Sequence, residues 1–156
     1  MFERPVERTA EGDFHIRLSD GERELLRTLP AELTNLLEEE PHDPSLRRLF
    51  PPAYEDDLEG EAEFRRLMQG ELSAGHREAL RVLEATAARE RLVADELEAW
   101  LGALNDLRLV LGTRLSVTEE IYERELDPRD PQAHDLAVYA YLTWLQEHVV
   151  EATAEP

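Results

Sequence analysis

The chain has 156 residues, enough for one domain, and 42% of them are hydrophobic, which supports a sizeable core. It contains no cysteine, and this excludes disulfides, thiolate metal sites and cysteine nucleophiles. Its 36 acidic residues outnumber 17 basic ones, all arginine, and the net charge of −19 opposes binding to nucleic acid or an anionic membrane while fitting either a basic protein partner or simple solubility.

Residues 1–18 are predicted to form a β-hairpin that lies against helices. Phe14, Ile16 and Leu18 alternate with polar residues, which is the period of a half-exposed strand. The Glu-Gly-Asp sequence at 11–13 is typical of a turn, and Pro5 is compatible only with an edge strand.

A helix is predicted to begin after Ser19, because Ser19 and Glu22 have the spacing of a capping box. Leucines at 25, 29, 33 and 36 then repeat at helical spacing. Pro30 lies within this pattern, so we expect the helix to be kinked or split near Leu29.

Two further helical segments are predicted before residue 89. Asp43 followed by Pro44 is typical of a helix start, and this short helix should reach about Leu49. Helical pattern resumes over about 58–88, where Gly70 and Gly75 are candidate break points, and residues 89–94 are expected to be a connection.

His76 lies on an apolar stripe of this second segment, and it has two interpretations. The stripe consists of Leu72, His76, Ala79, Leu80, Leu83 and Ala87. The structural interpretation is a core histidine that is hydrogen-bonded to a neighbour. The functional alternative is a pH-sensitive or ligand-contacting group.

The next helix, over about 95–113, is predicted to be the central element. Its broad apolar stripe contains Leu97, Trp100, Leu101, Leu104, Leu107, Leu111 and Leu115. Leu109 and Val110 extend the apolar character almost around the axis, which is typical of a helix surrounded by others.

Arg108 falls inside that stripe, which predicts a buried guanidinium. An arginine keeps its charge, so a buried one needs a carboxylate partner. Asp106 points to nearly the opposite face, so the partner should come from another element, with Glu119 or Glu120 as candidates, or from another molecule.

A candidate structural or docking centre surrounds Arg108. Asn105, Arg108 and Gly112 lie within about 60° of one another on a helix, and Arg114 follows closely. One interpretation is a tight helix crossing, at which Gly112 lets another backbone approach. The other is a niche that binds a small anion or a protein partner.

The last helix is predicted over about 131–153. Its stripe consists of Val138, Tyr141, Leu142, Leu145 and Val149. Trp144 on this helix and Trp100 on the previous one are interpreted as core anchors rather than as a docking surface.

The residue types that carry out chemistry are not arranged for it in this sequence. None of the five histidines stands three or four residues from another, and Pro41 interrupts the single Glu-x-x-His spacing, Glu39 to His42. There is no nucleophile elbow and no glycine-rich phosphate loop after a strand. We therefore expect no metal, no cofactor and no catalytic residue.

Several segments resemble an actinobacterial family classed as a domain of unknown function, which includes the oxidative-stress regulator AosR. The resemblance is carried by residues 99–101, 103–109, 111–115 and 117–120, and it extends through 44–51, 63–67 and 142–146. It implies a cytosolic, non-enzymatic regulator that acts through a protein partner such as a stress sigma factor. A cysteine-based switch cannot be carried over, because this chain has no cysteine.

Together these patterns predict a mainly α protein, a compact helical bundle around a central helix with a short N-terminal β-hairpin. We expect one domain over 1–156, with the hairpin arm at 1–18 and the bundle at 19–153. No apolar run approaches the ~20 residues of a membrane span and no signal peptide is evident, so we expect a cytoplasmic protein. Alternatives are a domain that binds a small anion, an enzyme with an unrecognised site around Arg108, and a homodimer.

Overall fold

The computed structural model describes residues 4–49, 74–115, 129 and 131–154. In these residues the chain is mainly helical, with a small antiparallel sheet near its N-terminus, as the sequence predicts. Helix predictions for residues 58–73, and the candidate partners Glu119 and Glu120, lie outside the described residues.

The N-terminal sheet contains the predicted hairpin and one strand that was not predicted. Strands β1 (Val6–Arg8) and β2 (Phe14–Ile16) pair antiparallel, and the turn between them includes Gly12 at φ +90°. Strand β3 (Arg91–Leu92) pairs with β2, with Phe14 opposite Leu92. The predicted connection over 89–94 does join α2 to α3, but it contains this strand, which the sequence did not indicate because two residues are too few to show a period.

Helix α1 (Asp20–Glu39) begins as the capping box predicts. The Ser19 hydroxyl accepts from the Glu22 amide at 3.2 Å, and the Glu22 carboxylate accepts from the Ser19 amide at 3.1 Å. Pro30 does not divide the helix, which continues through it, with Pro30 buried beside Leu26 and Leu33. Packing of this apolar face compensates for the hydrogen bond that a proline cannot donate.

The next segments bring two more elements to the core. Asp43 caps a single 3₁₀ turn (Pro44–Leu46) by accepting from the Ser45 amide at 2.8 Å. Residues 74–86 are helical (α2), with Gly75 in the first turn that the structure describes, and the other candidate break point, Gly70, lies outside the described residues. Leu80 and Leu83 of α2 are fully buried.

Helix α3 (Ala94–Leu115) is the central element, as predicted. It packs against α1, against the 3₁₀ turn and, over much of its length, against α4 (Ala133–Ala154). Leu97, Trp100 and Leu104 of α3 are fully buried. Among the described residues, no helix has the length and apolarity needed to cross a membrane.

Candidate functional site

Arg108 lies where α3 faces α4, and its side chain is half-buried. Its Nε donates to the Thr143 hydroxyl at 3.0 Å, and its Nη1 donates to the Gln146 side-chain carbonyl at 2.7 Å. The guanidinium carbon also lies 5.6 Å from the centre of the Tyr139 ring. All three contacts come from α4, so Arg108 links the central helix to α4.

The contacts of Arg108 in the described part of the chain are neutral, whereas the sequence predicted a carboxylate. A half-buried guanidinium keeps part of its hydration, and two hydrogen-bond acceptors and an aromatic face replace some of the rest. The two bonds use two of its five N–H groups. The guanidinium is therefore half-buried and not buried as predicted, and the predicted partners Glu119 and Glu120 lie outside the described residues.

Gly112 allows a close helix contact, but a side chain makes that contact instead of the expected backbone. A Cβ atom added at Gly112 would lie 3.1 Å from Cε2 of Tyr139. The same Tyr139 ring lies beside Arg108. Arg108 and Gly112 thus belong to one α3–α4 seam, with Asn105 half-buried one turn before Arg108.

Arg114 is not brought to Arg108. Six residues separate them, which is about 120° around the helix axis, and Arg114 is exposed. It lines a groove of about 400 Å³ between α1, α3 and α4. Hydrogen bonds from Ser45, assisted by the charge of Arg114, lower the pKa of the Asp43 carboxyl.

A histidine–aspartate pair, which the sequence identified only in part, connects α2 to α3. His76 Nδ1 lies 2.7 Å from Asp106 Oδ2, and His76 Nε2 lies 3.3 Å from the Leu49 carbonyl oxygen. The hydrogen bond to Asp106 raises the pKa of His76. The hydrogen bond to a neighbour is as the structural interpretation predicts, although the His76 side chain is half-buried and not part of the core.

Asp106 is the residue that sequence reasoning missed in this pair. It points away from the Arg108 side of α3, as predicted, but α2 covers that side and leaves Asp106 only 5% exposed. The available signal was an acidic residue on a helix that is apolar on most of its sides, as Asp106 is on α3. It became informative only with the position of His76.

The two tryptophans have opposite environments. Trp100 is fully buried and its indole N–H donates to the Thr86 hydroxyl at 2.7 Å, so its prediction as a core anchor is confirmed. Trp144 is 42% exposed, and the same prediction for it is wrong. Its ring contacts Tyr141, at 5.7 Å between centroids, and His148, at 4.7 Å.

The described residues contain no group of three or more histidine, cysteine, aspartate or glutamate side chains that could hold a metal ion. The arrangement at Arg108 offers N–H donors to an anion, and the arrangement at Trp144 offers an aromatic face. Both features are suited to binding.

Comparison with known proteins finds relatives with the name that the sequence resemblance indicated, the oxidative stress regulator AosR. The oxidative stress regulator AosR of Mycobacterium bovis is 36% identical over 127 residues, which are 70% of this chain and 58% of that protein. The regulator of the same name from Mycobacterium tuberculosis gives the same values. The putative oxidative stress regulator AosR of Mycobacterium leprae is 34% identical over 133 residues, 72% of this chain and 59% of that protein.

The chain thus spans a little under three fifths of the length of these relatives. No solved structure matches it. The family model described as a domain of unknown function (DUF2017) matches residues 3–153, and the chain belongs to that family.

Proposed function

We propose that this chain is a non-enzymatic regulator of a stress response, which acts in the cytoplasm by binding a protein of the transcription machinery. The observation that carries the proposal is the similarity, at 36% identity over 127 residues, to proteins named oxidative stress regulator. The partner we propose is a stress sigma factor.

The charge of the chain supports a protein partner over direct binding to DNA. With a net charge of −19, the molecule repels a phosphate backbone, and it attracts surfaces rich in arginine or lysine. Sigma factors bind nucleic acid and so carry such surfaces. Since the sequence has no cysteine, the signal that controls binding is not oxidation of a thiol in this chain.

The experiment that tests this proposal is a titration of the purified chain with each stress sigma factor of the source organism. Calorimetry measures the binding. The principal sigma factor and a DNA duplex are the controls. We expect one stress sigma factor to bind at micromolar concentration or below, and we expect neither control to bind. Failure of every stress sigma factor to bind would contradict the proposal.

A second candidate function is binding of a small anion, or of a partner's acidic group, beside Arg108. The observation that favours it is the neutral set of contacts, Thr143, Gln146 and Tyr139, around a cation with further N–H groups to donate. Asn105, one turn away, adds an amide to this niche.

Thermal melting with added phosphate or citrate tests the second candidate. Binding to the niche would raise the melting temperature of the wild type and not that of Arg108→Gln, which keeps a polar side chain without the charge. Equal shifts in both proteins would exclude the niche.

Light scattering at two concentrations in the same buffers tests for a homodimer.

A further inference from the structure

Trp144 is a large aromatic side chain that the fold leaves open to solvent. It lies on α4 and is 42% exposed, whereas Trp100 is fully buried. Its ring is held between Tyr141 and His148, with centroid distances of 5.7 Å and 4.7 Å. We refer to Tyr141, Trp144 and His148 as the aromatic patch.

Among the described residues, the charged groups that contact the aromatic patch are carboxylates. Tyr141 donates its hydroxyl to Glu22 at 2.8 Å, and His148 Nδ1 lies 3.8 Å from the exposed carboxylate of Glu151. Glu147 follows Trp144 by three residues, which places it on the same side of the helix. Helix α4 itself contains no lysine or arginine.

Arg23 is a cation close enough to Tyr141 to interact electrostatically with its hydroxyl. Its own hydrogen bonds, however, are made to the backbone. Its guanidinium donates to the backbone carbonyls of Leu18, Ile16, Ala87 and Arg89 at 2.8–3.2 Å. It therefore ties α1 to the end of α2 and to the sheet. The aromatic patch thus combines a partly exposed indole ring with the exposed carboxylates of Glu147 and Glu151.

We propose that the aromatic patch, with Glu147 and Glu151, binds an arginine side chain of a protein partner. A guanidinium can lie flat over an indole face while its in-plane N–H groups donate to carboxylates, and an ammonium group lacks this planar geometry. A second copy of this chain is a poor occupant, because two molecules of charge −19 repel each other. This inference rests on the proposed function, since it names the surface that a protein partner contacts.

The test uses a short peptide of alternating arginine and glycine as the probe, with the matched lysine–glycine peptide beside it. Binding is measured by calorimetry at about 0.15 M salt, where charges more than about 8 Å apart are largely screened. We expect the arginine peptide to bind more tightly than the lysine peptide. Its binding should also change the fluorescence of Trp144, while buried Trp100 gives a constant background.

Three variants separate the aromatic patch from the overall negative charge. Trp144→Ala should weaken binding of the arginine peptide by about three- to tenfold, the range of a cation–π contact at a partly exposed site. Trp144→Phe should recover part of that loss. Val150→Ala is the matched control, because Val150 is also exposed on α4 and lies about 120° around the axis from Trp144.

The outcomes that overturn the inference are specific. They are equal affinity of wild type and Trp144→Ala for the arginine peptide, equal affinity of the wild type for the two peptides, and absence of binding. A dimer that Trp144→Ala abolishes would also overturn it, since the occupant would then be a second copy. Melting temperatures check that each variant is folded.

Failure of this inference is distinguishable from failure of the proposed function. If a stress sigma factor binds wild type and Trp144→Ala equally, the inference fails and the proposed function stands. If the arginine peptide requires Trp144 while no sigma factor binds, the inference stands and the proposed function fails.

Discussion

The guanidinium of Arg108 contacts two neutral hydrogen-bond acceptors and an aromatic ring in place of water. These contacts determine how much the free energy of unfolding should fall when the side chain is removed. Arg108→Ala loses the hydrogen bonds to Thr143 and Gln146, and among the described residues it leaves no carboxylate without its partner. We expect the free energy of unfolding to fall by about 1–2 kcal/mol, the scale of hydrogen bonds from a partly solvated charged donor. Urea denaturation measures this change.

Arg27→Ala provides the control for Arg108→Ala. Arg27 pairs with Glu24 on an exposed face of α1, so its removal should leave the stability nearly unchanged. A loss of about 3–5 kcal/mol in Arg108→Ala would contradict the neutral environment, because that is the cost of stranding a buried carboxylate.

The His76–Asp106 pair should make stability depend on pH. Both ring nitrogens of His76 face acceptors, the Asp106 carboxylate and the Leu49 carbonyl, so the protonated ring satisfies both. Its raised pKa means that the folded state holds the proton more tightly than the unfolded state does. The stabilisation is complete below the unfolded pKa of about 6.5 and is lost as pH rises through the folded pKa.

The measurement is the free energy of unfolding of wild type and His76→Gln between about pH 5.5 and pH 9. We expect the wild type to be more stable by about 1–3 kcal/mol at the acidic end, since the variant leaves Asp106 without a cationic donor. The difference should shrink toward alkaline pH. A difference that grows with pH would show that His76 is neutral in the folded state.

At the scale of elements, the α3–α4 seam depends on the absence of a side chain at Gly112. Gly112→Ala gains up to about 1 kcal/mol of helix propensity, but its Cβ would lie 3.1 Å from the Tyr139 ring. The ring must move by a few tenths of an ångström and disturb its place beside Arg108. We therefore expect Gly112→Ala to stabilise the protein by clearly less than the propensity gain.

A double-mutant cycle with Tyr139→Ala isolates this effect. In the Tyr139→Ala background the added methyl group meets no ring, and the full gain of about 1 kcal/mol should return. Equal effects of Gly112→Ala in the two backgrounds would show that the ring yields freely.

The elements that the sequence predicts well are those with a long periodic pattern or a local cap. The capping box at Ser19 marks the start of α1, and apolar residues on several sides of α3 indicate its central position. Strand β3 consists only of Arg91 and Leu92, so it is too short to show an alternating pattern in the sequence. Its formation depends on β2, a partner more than seventy residues earlier in the chain.

The candidate site was less predictable, because periodicity gives an angle around a helix and not what covers that side. The sequence correctly placed Arg108 and Asp106 on opposite sides of α3. It predicted burial for Arg108, whereas Asp106 is the buried residue, covered by α2, and Arg108 is half-buried at the α3–α4 seam. Trp144 lies beside the apolar stripe of α4, and only the packing shows that no described element covers its ring.

At the scale of the whole molecule, the excess of acidic residues acts on stability as well as on partners. Local ion pairs such as Arg17–Glu7 and Arg89–Glu96 engage single arginines, while 36 acidic residues face only 17 arginines over the chain. The folded state concentrates this charge into a smaller volume than the unfolded state does. Self-repulsion should therefore destabilise the native fold at low ionic strength.

The last prediction follows from this repulsion. Raising NaCl from about 0.02 M to about 0.5 M shortens the screening length several-fold and should raise the melting temperature by about 3 °C, equivalent to roughly 1 kcal/mol for a chain of this size. Differential scanning calorimetry measures the shift. At pH 4.5, the approximate pI of the sequence, the net charge is close to zero and the shift should largely disappear. A melting temperature that falls with salt at pH 7 would mean that the local ion pairs outweigh the net repulsion. Binding of a basic partner would then depend on a few carboxylates and not on the electrostatic field of the whole molecule.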